Sequence, residues 1–267
     1  MSAALEDKVA IVTGAGSGLG RAVAVGFAAA GAAVVANDIV DGPGLRETVA
    51  AIVDGGGGAR PHVGDVSRRE DVAAMIELAT STFGGLDVMH ANAAVGVYSE
   101  LETMAPADLD RIVDVNLRGP LLCAQAAIPA MRARGGGSIV FVSSAQAYLG
   151  LHGDVVYAAA KAGLVAAART LAVEVGPAGI RVNALVPGTI ETPMFQMGLD
   201  LAPPQEREAA LRAMQAANAL RRIGRDDEIA AAAVFLASDA SSYTTGSPLF
   251  VDGGYLGVKR WPGRPGG

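Results

Sequence analysis

Cysteine, histidine, aromatic residues and charge are all scarce in this 267-residue chain, and each shortage closes a class of function. The single Cys123 excludes an internal disulfide and a thiolate metal cluster; within Leu121-Leu122-Cys123-Ala124 it reads as a small core residue. The three histidines, His62, His90 and His152, stand far apart without ligand spacing, so no metal site is expected. His152 falls between Ser144 and Tyr157 and reads as a solvated loop residue. Only 18% of residues are charged and the net charge is −6, with small basic groups at Arg68-Arg69 and Arg221-Arg222, so no nucleic-acid partner is expected. No basic stretch precedes an apolar run at the N-terminus, and Lys161 and Arg169 interrupt the most apolar helix. No membrane span and a cytoplasmic setting are therefore expected. The apolar fraction is 51% against 4% aromatics, and the excess of Ala and Val suits close packing of helices on a sheet.

Strand-like and helix-like segments alternate from end to end with no Pro/Ser-rich linker, which predicts one α/β domain. Strands are expected at 8–12, 33–38, 60–64, 86–91, 138–143, 179–186 and 247–251. Helices are expected at 18–30, 43–54, 68–83, 106–133, 155–175 and 226–238. Near-continuous apolar strands joined by helices imply a parallel sheet covered on both faces, a doubly wound Rossmann-type fold. Residues 1–257 form the single domain in this reading, with a variable lid at about 189–224 and a tail at 258–267.

The apolar run Val9-Ala10-Ile11-Val12 leads into Thr13-Gly14-Ala15-Gly16-Ser17-Gly18-Leu19-Gly20 and then an apolar helix. Strict G-x-G-x-x-G spacing fails here; T-G-x-x-x-G-x-G fits, through Gly14, Gly18 and Gly20. Strand, glycine turn and helix in that order can cradle a pyrophosphate on free N–H groups, with Ser17 and Leu19 at the helix entry. The second strand ends in Asp38, eighteen residues past Gly20. A carboxylate there accepts from the ribose hydroxyls of NAD and repels a 2′-phosphate, so NAD is expected over NADP. Arg21 and Arg46 are the nearby bases able to oppose that preference.

Tyr157 and Lys161 stand four apart in Tyr157-Ala-Ala-Ala-Lys161, and Ser144 lies thirteen residues before Tyr157, after the strand-like Ile139-Val140-Phe141-Val142. On a helix the two side chains share a face, where an ammonium would lower the phenol pKa from its free value of about 10 and fit it for proton transfer. A surface pair on an ordinary helix satisfies the same spacing.

Further along the chain come Asp65-Val66, Asn92-Ala93, Asn116, Pro187-Gly188 and Val251-Asp252-Gly253-Gly254. With the glycine turn and the Ser144, Tyr157 and Lys161 set, this order resembles the short-chain dehydrogenase/reductases from about Leu5 to Tyr255. The resemblance implies hydride exchange between nicotinamide C4 and a secondary alcohol or ketone. Tyr157 would be the general base or acid, Ser144 a donor to the substrate oxygen, and Lys161 a partner of the nicotinamide ribose. Asn116 would hold a relay water; read from its residues alone, it also suits a cap on a helix bend. The resemblance further places Gly14, Ser17, Gly18, Leu19, Gly20, Asp38, Asp65, Val66, Asn92, Pro187, Gly188, Ile190 and Thr192 on the cofactor, with Glu191 facing solvent. One departure stands out: Ala91-Asn92-Ala93-Ala94 replaces the family's Asn-Asn-Ala-Gly, which narrows the backbone choices of Ala94 beside the adenosine.

Three readings compete: an NAD-dependent dehydrogenase, a sugar-nucleotide epimerase or dehydratase, and a non-catalytic NAD-binding scaffold. The glycine spacing speaks against the second, and the intact Asn116, Ser144, Tyr157 and Lys161 set against the third. Enoyl reductases of the family usually space Tyr and Lys further apart. The stretch from Met194 to Leu199 reads as an apolar lid suited to a ring alcohol, whereas Gln146 and Gln196 add polar groups that suit a sugar or polyol. Gln146 tying down its own loop is an equal alternative. Helices 106–133 and 155–175 are apolar over more than one face, which points to a subunit interface; the resemblance implies a small-molecule enzyme assembled as a homotetramer, or a dimer, through these helices.

Overall fold

A computed structural model describes residues 3–200 and 202–257. The tail at 258–267, with Lys259-Arg260-Trp261-Pro262, lies outside the described residues. One parallel sheet takes the order β3-β2-β1-β4-β5-β6-β7. Its strands are β1 (Val9–Thr13), β2 (Ala33–Asp38), β3 (Ala59–Val63), β4 (Val88–Ala91), β5 (Gly137–Val142), β6 (Ile180–Pro187) and β7 (Pro248–Val251). Parallel neighbours need helical crossovers, and the right-handed crossover puts helices on both faces. One face carries α1 (Gly18–Ala29), α2 (Pro43–Asp54) and α9 (Asp226–Ala237), packed through Val23, Phe27, Ile52 and Ile229. The other carries α3 (Arg69–Phe83), α5 (Gly119–Ala133) and α6 (Val155–Val175), packed through Met75, Met131, Leu164 and Val175. The fold is the expected doubly wound Rossmann type.

Two helical regions differ from the sequence expectation. The helix expected over 106–133 is α4 (Pro106–Val113), a π-helical turn (Asp114–Arg118) and α5. The segment 189–224 holds α7 (Pro193–Asp200) and α8 (Arg207–Ala217). Residues Val155–Ala178 are long and apolar enough to cross a membrane by length and composition, but α6 lies against β6 and β5 as a cover helix.

Cys123 is fully buried, and burial pushes its thiol up to about 12, so it stays an inert core group. His90 is also buried, set edge-on to Phe27 at 5.7 Å with neither ring nitrogen hydrogen-bonded. Burial drives its pKa down to about 3, so the ring packs as a neutral one. The exposed His152 meets Glu100 at 3.3 Å.

Candidate active site

Strand order reverses between β1 and β4, which opens a crevice at the carboxyl edge of the sheet. The glycine turn follows β1 there. Gly14 and Gly18 have φ of +67° and +49°, the left-handed region that other residues adopt only under strain. Gly20 is fixed by proximity instead: a Cβ on it would lie 2.1 Å from the Gly14 carbonyl oxygen. The turn is stitched to the end of β4, because Asn92 Nδ2 donates to Thr13 O at 2.9 Å and the Asn92 and Ala93 N–H groups donate to Thr13 Oγ1. Ser17, the N-cap of α1, gives the helix no side-chain hydrogen bond, so first-turn N–H groups stay open to an anion. Ala94 is not among the positive-φ residues, so the departure from glycine imposes no left-handed strain there.

Asp38 ends β2 beside this turn. Its Oδ2 accepts from Gly16 N–H at 2.9 Å, and a Cβ on Gly16 would come within 2.7 Å of that oxygen. Both arginines singled out from the sequence are engaged elsewhere, Arg46 with Asp41 at 3.0 Å and Arg21 with Glu47 at 2.9 Å. Asp65 Oδ1 accepts from Ser67 N–H and Oγ–H at 2.8 and 2.7 Å, which fixes its carboxylate plane. Val66 is buried, and a Cβ on Gly119 would come within 2.9 Å of it.

At the far side, Ser143 and Ser144 follow the end of β5. Ser143 Oγ donates to Lys161 O at 2.8 Å, tying the strand end to α6. Ser144 Oγ accepts from Gln146 N–H at 3.2 Å and stands close enough to the Tyr157 phenol to draw its pKa downward. The pKa expectation needs correcting here. Burial raises the Tyr157 phenol to about 12, with Tyr98 and Asp154 adding to the rise and Ser144 pulling it down. Lys161 does not lower it. Its ammonium donates to Val142 O at 2.9 Å and sits 5.6 Å from the Tyr157 ring centre, while burial brings its own pKa down to about 8. Sequence spacing placed the two groups on one face but carried nothing about desolvation, which is the larger effect.

Asn116 lies in the π turn and is fully buried. Its Oδ1 accepts from Val95 N–H at 2.8 Å and its Nδ2 donates to Val95 O at 2.7 Å. It thereby pins the loop after β4 in both senses. A cap on a helix bend is not what it forms.

Beyond β6, Pro187-Gly188 packs on Asp252, where a Cβ on Gly188 would meet the Asp252 Cα at 2.6 Å. Asp252 itself accepts from the N–H groups of Gly254 and Leu256, so the Val251 to Gly254 motif locks this edge. Ile190 is buried and bridges to Gly224. Thr192 Oγ1 accepts from Phe195 N–H at 3.2 Å at the start of α7, and Glu191 is exposed as expected. Gln196 is a correction: it is exposed, bonds Asp200 at 3.1 Å and does not line the cleft, whereas Met194 does.

Every residue assigned from the sequence to catalysis or to the cofactor, except Gly20 and Asn116, lines one cleft of about 1060 Å³, and so do Gln146 and Met194. Gly20 and Asn116 shape it from beneath, by close approach and by holding Val95. Asp154 also lines the cleft and was not singled out. Three residues before Tyr157 it reads as a helix-start aspartate, and only the fold shows it buried against Gln146, whose Nε2 donates to it at 2.8 Å. That bond ties the Gln146 loop to α6, one of the two roles weighed for it.

A family model described as enoyl-(acyl carrier protein) reductase matches residues 14–256. The cis-4-hydroxycyclohexanecarboxylate dehydrogenase of Sinomonas cyclohexanicum is 39% identical over 97% of this chain and all of its own length. The 3-oxoacyl-(acyl-carrier-protein) reductase FabG of Thermotoga maritima is 38% identical over 94% of this chain and 99% of its own. A crystal structure of levodione reductase superposes with a TM-score of 0.90 at 35% identity, covering 95% of this chain and 100% of that one.

Proposed function

The chain belongs to the short-chain dehydrogenase/reductase family, an oxidoreductase family, and from that premise we propose that it exchanges hydride between NAD(H) and a secondary alcohol or its ketone. The observation that carries this reading is that Tyr157, Ser144 and Lys161 share one cleft with the glycine turn and Asp38. A bound nicotinamide would supply the hydride acceptor or donor. The chain supplies the rest. Tyr157 takes the hydroxyl proton or returns it, and Ser144 steadies charge developing on the substrate oxygen. Lys161 carries three donors on a flexible stem. Swinging its ammonium from Val142 O toward the cleft would let it hold a ribose hydroxyl and favour the phenolate. Asn116 keeps Val95 in place at the cleft wall.

The Tyr157 to Lys161 spacing favours an alcohol dehydrogenase or ketoreductase over an enoyl reductase, and the names of two relatives point the same way, one of them to a ring alcohol. Purified protein offered NAD with a panel of ring alcohols, polyols and sugars, and NADH with the ketones, tests the reading through NADH absorbance. Turnover supports it. Binding of NAD without turnover of any substrate leaves the scaffold reading, and isomerisation without net NADH leaves the epimerase.

NAD is the proposed cofactor because Asp38 would meet the adenosine ribose while Arg21 and Arg46 are held by Glu47 and Asp41. We expect kcat/KM for NAD to exceed that for NADP by at least about tenfold, since a carboxylate repels the added phosphate. A lower KM for NADP would sink the assignment.

The protein is proposed to assemble as a homotetramer through α5 and α6. Leu121 is 40% and Val173 79% exposed on these helices, apolar surface that a neighbour would cover. Sedimentation equilibrium at micromolar concentration should return an oligomer, and a monomer would refute the idea.

A further inference from the structure

Asp154 is placed unlike an ordinary helix-start aspartate. It is the N-cap of α6 but makes no side-chain cap, although capping is the usual reason for an aspartate there. The residue is 3% exposed, and no lysine, arginine or histidine pairs with it among the described residues. Its one side-chain hydrogen bond comes from Gln146 Nε2, at 2.8 Å on Oδ2. A carboxylate has about four acceptor positions, so this one keeps acceptor capacity to spare on the cleft wall. Burial raises its pKa to about 6. The same bond turns the Gln146 amide so that Oε1 is left as a second acceptor. Neither Asp154 Oδ1 nor Gln146 Oε1 has a protein partner among the described residues.

Both residues line the cleft with Tyr157, Ser144 and Tyr98, whose phenol lies within reach of the Asp154 charge, and Val95 and Met194 line the same cleft. Two unpartnered acceptors next to the reacting position call for a ligand that donates. We propose that Asp154, with Gln146, determines specificity by accepting a hydrogen bond from a second hydroxyl on the substrate, so that the preferred substrates are diols or hydroxyketones, not simple or carboxylated alcohols. The inference deepens the dehydrogenase reading and rests on it. A monohydroxy substrate leaves the carboxylate unpaired on the cleft wall, and an anionic substrate brings like charges together, so both are disfavoured.

The test compares cyclohexanol, a panel of cyclohexanediols and 4-hydroxycyclohexanecarboxylate in the wild-type enzyme and in Asp154→Asn. Asparagine keeps the shape and can still accept from Gln146. We expect the wild type to favour a diol, and Asp154→Asn to lower kcat/KM on that diol by about tenfold or more, the worth of a hydrogen bond to a charged group. Activity on cyclohexanol should change less than about twofold, and activity on the carboxylate should rise as the like charge is removed. A purely structural role for Asp154 would lower all three together, and that result overturns the proposal. Gln146→Ala, which changes no residue of α6, should shift the same ratio and decides the matter if Asp154→Asn fails to fold. Calorimetric binding of the diols to the NADH complex separates this inference from the dehydrogenase reading. If no alcohol turns over, diol affinity that is weaker in Asp154→Asn still supports the acceptor pair. Turnover or binding with no preference for diols refutes it while leaving the dehydrogenase reading intact.

Discussion

Tyr157→Phe is expected to lower kcat by about a thousandfold, within the range by which positioned general acids and bases accelerate reactions, while changing the Kd for NAD by less than about twofold. Phenylalanine preserves the ring that packs beside Lys161 and removes only the phenolic hydroxyl. The pH profile of the wild type should carry the same signature. With the phenol raised to about 12, it is protonated throughout the neutral range, so it is ready as an acid for ketone reduction and scarce as a base for oxidation. Oxidation should therefore accelerate by about tenfold per pH unit below the working pKa, while reduction stays level near neutrality. The pH at which oxidation levels off measures how far Lys161 and the bound cofactor bring the phenol down. Near wild-type kcat in Tyr157→Phe would show that another group moves the proton.

Gly20→Ala should damage cofactor binding and stability together. The added methyl would fall 2.1 Å from the Gly14 carbonyl oxygen and 2.6 Å from Asn92 Nδ2, so the turn or the start of α1 must move. Overpacking of this kind costs about 1–3 kcal/mol, which lowers the Tm of a chain this size by roughly 2–10 °C. Moving the turn also displaces the open N–H groups that await a pyrophosphate, so the Kd for NAD should weaken by at least about tenfold. Gly150→Ala is the control, because a Cβ there meets nothing within 4 Å. If Gly20→Ala melted and bound NAD like the Gly150 variant, the close-approach argument would be wrong.

The strands and most helices were legible because burial on both sheet faces writes itself as apolar runs, and the glycine turn because its order of strand, turn and helix is local. What escaped has a common cause: it depends on what a side chain meets across the fold. The π turn at Asn116 looks like continuous helix, since its residues keep a helical pattern on either side. His90 sits in a strand core as a neutral ring against Phe27, where histidine would be expected to seek a partner. Gln146 and Gln196 look alike in sequence, yet one faces Asp154 in the cleft and the other turns to Asp200 on the surface. Lys161 and Tyr157 were placed on the right face, but the burial that sets their pKa values comes from the surrounding walls.

The π turn between α4 and α5 amounts to one residue more than a regular helix would hold. Deleting a residue there would restore an even hydrogen-bond ladder, and it would also rotate Asn116 away from Val95. Directed evolution that rewards heat resistance alone is free to take that step, trading a held loop for a straighter helix. Libraries meant to harden this protein should therefore be screened for turnover at every round, with residues 114–118 kept at their present length.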